Sequence, residues 1–308
     1  MTLRTTLSAL AVTAAAGPAL AECETVVFSD VGWTDITATT AATTEVLQAL
    51  GYDTETKVLS VPVTYISLSE GDVDVFLGNW MPTMENDIAP YREDGTVETV
   101  RANLEGAKYT LATNAAGAAL GIDSFGAIAE HAEALDGEIY GIEPGNDGNR
   151  LIMEMIEADA FGLGDFEIVE SSEQGMLAQV RRASNSDEPI VFLGWEPHPM
   201  NANFYLTYLT GGDDWFGPNL GGATVYTNVR AGYIEECPNV GRFLENLEFS
   251  LAMENEIMGA ILDDGAEPAE AARAWMAANP DLVMSWVEGV ETREGGDAAA
   301  ALRADLGL

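Results

Sequence analysis

Two distant stretches of the chain repeat one pattern, and that repetition constrains the fold more than any other feature. Val75-Phe76-Leu77-Gly78-Asn79-Trp80-Met81-Pro82 and Val191-Phe192-Leu193-Gly194-Trp195-Glu196-Pro197 each run from an apolar strand into Gly, then Trp, then Pro. A serine-containing turn and a helical pattern precede both, Ser60 to Ser69 in the first copy and Ser171 to Ala183 in the second. Uninterrupted apolar strands belong to sheets covered on both faces, and two such units imply two similar lobes. Ligands of open α/β sheets gather at the carboxyl ends of strands, so each lobe would deliver a tryptophan to that place.

The rest of the pattern is α/β, with strand and helix signals alternating. Val26-Val27-Phe28 reads as a strand, followed by a loop through Trp33 and a helix ending at Gly51. Lys57 to Val61 and Val73 to Leu77 read as strands around a short helix from Thr64 to Ser69. Ile139 to Ile142, Phe166 to Val169 and Ile190 to Leu193 read as further strands, with helices over Arg150 to Ala158 and Gln174 to Ala183. From Asn239 the pattern is helical. Tyr109 to Thr113 and Phe204 to Thr210 are extended stretches suited to crossing between lobes. This predicts a discontinuous first lobe, residues 22–108 plus 208–308, and a second lobe of residues 109–207.

The first 21 residues combine Arg4, an apolar run from Leu7 to Ala16, and Ala19-Leu20-Ala21, the layout of a secretory signal peptide. No later stretch reaches the length of a membrane span. In a protein exported to an oxidising compartment, the cysteines Cys23 and Cys237 are expected to form a disulfide. The formal net charge of −38 disfavours nucleic acid and anionic membranes and favours cations. Lysine occurs only at Lys57 and Lys108, which fits general surface acidity better than a tuned site.

Trp33, Trp80, Tyr109 and Trp195 each stand where a strand meets a loop or a crossing. A quaternary ammonium ion donates no hydrogen bond and is held by the negative faces of aromatic rings. Asp35, in the first turn of the predicted helix, suits two roles: partner of the helix dipole or counter-charge to a desolvated cation. The loop Glu143-Pro144-Gly145-Asn146-Asp147-Gly148-Asn149 joins a strand to a helix; as more than a bare turn, it would offer Asn146 to a ligand hydroxyl or carboxylate. Trp275 and Trp286 lie on helical patterns and are assigned to packing. There is no nucleophile elbow and no metal-spaced His/Cys/Asp cluster, so no catalytic residue, metal or cofactor is expected. His198 sits beside Trp195 and reads as a brace for its loop ahead of the alternative, a ligand contact.

Ser29 to Asp35 (SDVGWTD), Val75 to Met84, Ala107 to Thr113, Gly141 to Asn149 and Phe192 to Asn201 resemble the glycine betaine/choline substrate-binding proteins of bacterial ABC importers, most closely the periplasmic choline-binding ones. The resemblance spans the chain after the signal and includes both cysteines. It implies a monomeric two-lobed receptor that closes like a hinged trap and delivers ligand to a membrane permease. It also implies an aromatic box of Trp33, Trp80, Tyr109 and Trp195, with Asp35 beside the ammonium and Asn146 as the polar contact. Choline is the implied ligand, with glycine betaine, trimethylamine N-oxide and acetylcholine as alternatives in the same role. A secreted choline-ester enzyme would need a nucleophile and base that the sequence does not supply.

Overall fold

The computed structural model describes residues 23–308; the expected signal peptide lies outside them. Nine strands form one sheet: β1 (Thr25–Asp30), β2 (Asp53–Val58), β3 (Val75–Met81), β4 (Val97–Thr113), β5 (Glu138–Tyr140), β6 (Glu167–Val169), β7 (Val191–Glu196), β8 (Thr207–Tyr208) and β9 (Gly222–Arg230). Their order is β2-β1-β3-β9-β4-β7-β5-β6, with β8 against β4. β1 is parallel to β2 and β3, and β9 closes that group antiparallel to β3. β5 is parallel to β6 and β7, and β4 closes the second group antiparallel to β7. The two halves, β2-β1-β3-β9 and β6-β5-β7-β4, therefore repeat one plan. This is the duplication that the Gly-Trp-Pro echo predicts, in a two-lobed α/β fold.

Local sequence accounts for the elements that carry the site. β3 and β7 are buried along nearly their whole length, as their continuous apolar runs require. The helix Thr34–Ala49 is enclosed on most sides despite its threonines. Some of its hydroxyls turn back into the helix: Thr43 donates to the carbonyl of Thr39 at 2.7 Å and Thr44 to that of Thr40 at 2.9 Å, while Thr40 Oγ1 is buried without a partner. The strand expected over Lys57–Val61 instead ends at Val58, and Val61 opens the helix Val61–Glu70. Pro62 is the reason, since it suits the first helical turn and cannot donate to a ladder. Gly71, left-handed at φ 80°, ends that helix.

β4 is the spine of the molecule. It pairs with β9 from Val97 to Lys108 and with β7 from Lys108 to Thr113, so the halves exchange partners at Lys108 and Tyr109. Thr207 and Tyr208 pair with Thr113 and Ala112, and the carbonyl of Thr210 accepts from Phe125 N–H at 2.9 Å. The chain returns to β9 through Gly217–Gly222. At Gly221 (φ 67°) a Cβ would lie 1.9 Å from the Tyr109 carbonyl oxygen, so this return passes against β4 only with glycine.

Cys23 and Cys237, 214 positions apart in sequence, form a disulfide with Cα atoms 5.8 Å apart, tying the start of β1 to the helix Pro238–Asn246. Replacing both by serine is expected to lower stability by about 2–5 kcal/mol, read as a fall in the thermal midpoint. An unchanged midpoint would show that the cross-link constrains nothing of consequence.

Candidate functional site

All four predicted rings converge on one cavity. Trp33, Asp35, Trp80, Tyr109, Ile142, Asn146, Asp147 and Trp195 line it. The rings are 4–5% exposed. Tyr109 and Trp195 are directly opposite each other in the β4–β7 ladder, with ring centroids 6.3 Å apart at 81°. Trp80, at the end of β3, stands 6.1 Å from Tyr109 at 62°. Trp33 is the N-cap residue of Thr34–Ala49, after left-handed Gly32. The wall thus takes rings from both halves of the sheet.

The polar edges of the rings are fixed. Trp80 Nε1–H donates to Asp35 Oδ2 at 3.1 Å, and Trp33 Nε1–H donates across the cleft to Glu143 Oε1 at 2.7 Å. Tyr109 O–H donates to Asn146 Oδ1 at 2.8 Å. Phe216 packs edge-on behind the tyrosine at 5.9 Å. Gly148 makes room for the hydroxyl, since a Cβ there would come within 2.1 Å of it. With the N–H groups of Trp33 and Trp80 and the O–H of Tyr109 occupied, these three rings leave their faces to the cavity.

Asn146 is more than a loop residue. It caps the helix Asp147–Glu157, its Oδ1 accepting from Asn149 N–H at 3.0 Å, and its Nδ2 reaches Asp147 Oδ1 at 3.2 Å. One amide hydrogen of Asn146 remains without a partner in this set. Trp275 and Trp286 lie apart from the cavity as expected: Trp286 is fully buried against Phe249, and Trp275 donates to Glu256 at 2.7 Å.

The sequence reading missed how many carboxylates crowd this place. Asp35 Oδ1 and Asp147 Oδ2 are buried without a hydrogen-bond partner. Burial, reinforced by the charge of Glu173, pushes the Asp35 carboxyl from its ordinary 3.8 up to about 7. Burial raises Glu143 to about 7 and Asp147 to about 6. Glu173 lies behind them, 1% exposed. The signal was present in helix-opening positions: Asp35, Asp147 and Glu173 each fall in a first turn, where an acid reads as an ordinary dipole partner. Only the fold shows that these helix starts meet.

An Asp35 carboxyl raised above its unfolded value favours folding below about pH 4, and that contribution is lost as pH rises towards about 7. Asp35→Asn keeps an acceptor for Trp80 Nε1–H and removes the buried charge. It is therefore expected to raise the stability of the ligand-free protein near pH 8 by on the order of 2–4 kcal/mol, and to change it little near pH 4. Chemical denaturation at the two pH values checks this; destabilisation at pH 8 would contradict it.

Residues 24–278 match the family described as the substrate binding domain of ABC-type glycine betaine transport systems. A solved ABC-transporter choline-binding protein in complex with choline is 70% identical, with 92% of this chain and 98% of that one covered and a TM-score of 0.91. An ABC-transporter choline-binding protein in an unliganded, semi-closed conformation is 71% identical, covering 93% and 99%, at a TM-score of 0.86. A glycine betaine/carnitine transport binding protein of Listeria monocytogenes is 32% identical over 131 residues, 42% of each chain. With the duplicated sheet and the cavity at its strand ends, this chain belongs to the extracytoplasmic substrate-binding proteins of ABC-type glycine betaine transport systems.

Proposed function

We propose that this protein captures choline between two lobes outside the cytoplasmic membrane, after export by its N-terminal signal, and delivers it to the permease of an ABC importer. One observation carries the choice of ligand: the cavity lining joins four aromatic rings to two incompletely paired carboxylates and contains no Lys, Arg or His. Such a lining suits a permanent cation with a neutral tail. The methyl groups would lie against Trp33, Trp80, Tyr109 and Trp195, with Asp35 as counter-charge. The hydroxyl would accept from the remaining amide hydrogen of Asn146 and donate to Asp147. Each desolvated ring contributes about 2 kcal/mol, and micromolar affinity corresponds to about 8 kcal/mol. Rings and counter-charge together supply that after the cost of immobilising the ligand.

Glycine betaine fits this lining less well. Its carboxylate needs strong donors, and it would lie near Asp35 and Asp147 instead. One donor at each of the two helix starts is already engaged, Thr34 N–H by Glu173 at 2.7 Å and Asn149 N–H by Asn146. Lys108 is paired with Glu196 at 2.9 Å. We place the lobe boundary at Lys108/Tyr109 on the outward crossing and within Gly217–Gly222 on the return, following the strand pairings.

Calorimetric titration tests the assignment. Choline is expected to bind at micromolar concentration or tighter and glycine betaine at least tenfold more weakly, a difference of about 1.4 kcal/mol. Trp80→Ala is expected to weaken choline by roughly 30-fold, the loss of one desolvated ring. Millimolar choline binding by the unaltered protein, or betaine bound as tightly, would refute the reading. Choline also requires Asp35 ionised, so lowering the pH from about 8 to about 6 is expected to weaken it roughly tenfold. An affinity independent of pH over that range would remove Asp35 as the counter-charge.

A further inference from the structure

Glu173 does not line the cavity, yet it holds both sides of it. It is the first residue of the helix Glu173–Ser186, in the half that contains β7. Across the cleft, Thr34 N–H donates to its Oε2 at 2.7 Å and Thr34 Oγ1–H to its Oε1 at 2.5 Å. Thr34 lies between Trp33 and Asp35 in the chain, so this grip fixes a ring and the proposed counter-charge together. On its own side, His198 Nδ1 accepts Met200 N–H at 2.9 Å. The neutral imidazole therefore carries its proton on Nε2, which donates to Glu173 Oε1 at 3.2 Å. The His198 ring packs edge-on against Trp195, with centroids 4.9 Å apart.

We propose that Glu173 is a positioning residue: a buried clasp that joins Thr34 of one lobe to the His198–Trp195 pair of the other and sets how slowly the ligand leaves. Other bonds cross the cleft, including Arg150 to Asp87 at 2.7 Å, but that pair is partly exposed. Glu173 is the buried acceptor on which three donors from two lobes converge. Opening the cleft strips the carboxylate of two charge-assisted bonds at once, and closing restores them. The hub makes no ligand contact of its own, so its effect falls on dissociation rather than on encounter. Glutamine cannot replace it, because in either orientation its NH2 group faces the N–H of Thr34 or the Nε2–H of His198.

The kinetic side of this proposal rests on choline capture by the cavity; its conformational side does not, and the tests separate them. In stopped-flow fluorescence, Glu173→Gln is expected to raise the choline dissociation rate roughly 10- to 100-fold while leaving association within about threefold. Thr34→Val is expected to raise dissociation roughly tenfold, and Thr34→Ser to restore it. In the Glu173→Gln background, Thr34→Val should add less than about twofold, because both act through one contact. A dissociation rate unchanged in folded Glu173→Gln, or a Thr34→Val effect of equal size in both backgrounds, would overturn the clasp. Should Glu173→Gln fail to fold, the Thr34→Val and Thr34→Ser pair decides alone. Should the unaltered protein bind no choline, small-angle scattering of the ligand-free protein decides. A larger radius of gyration in Thr34→Val supports the clasp with the ligand assignment lost, and an identical one overturns both.

Discussion

A trimethylammonium group carries its charge on a surface of methyls and offers no hydrogen-bond donor, and the proposed site answers to that constraint. Ring faces are the protein groups that attract such a surface without losing bonds to water. Four of them cannot surround a ligand from one rigid wall and still admit it. Here Trp33 and Trp80 come from the half built on β1 and β3, and Tyr109 and Trp195 from the strands of the other half. Division of the proposed box between two lobes joined through β4 would follow from the shape of the cation.

The same constraint explains a cost borne by the empty protein. Ring faces attract a cation, but full desolvation also calls for a compensating charge. That charge must be held ready in a site that excludes water. Asp35 and Asp147 each keep one buried oxygen unpartnered, and the charge of Glu173 further disfavours ionisation of Asp35 and Glu143. Stability and function conflict at these positions. The indole and hydroxyl bonds to Asp35, Glu143 and Asn146 reconcile them in part by fixing the ring edges in the closed arrangement.

Much of this was legible in sequence because it follows local rules. The apolar runs of β3 and β7, the tryptophans at their ends and the cysteine pair all signal themselves within a few residues. The long β4 did not: Glu98, Arg101 and Glu105 interrupt its apolar pattern, since part of that strand faces solvent and its pairing is broken by register shifts. β9 was missed for a similar reason, with buried and half-buried residues alternating. Glu173 was the hardest to see. Ser171-Ser172-Glu173 looks like an ordinary helix start, and Ser172 does cap that helix, accepting from Gly175 N–H at 3.1 Å. Its partner Thr34 is 139 residues away and belongs to another helix start, so only tertiary structure unites them.

The duplicated plan also shows where the proposed site breaks its own symmetry. Trp80 and Trp195 occupy matching places at the ends of β3 and β7, each leading into a proline. The matching places after β1 and β5 differ: the first helix is capped by Trp33, the other by Asn146. A symmetric box would suit a ligand with two like ends, whereas a cation with a hydroxyl tail needs one apolar and one polar end. Placing a ring at one N-cap and an amide at its counterpart gives the cavity that polarity without altering the scaffold. In the proposed site, fold duplication would supply the pair of tryptophans that grip the head, and divergence at a single equivalent position the direction in which the ligand lies.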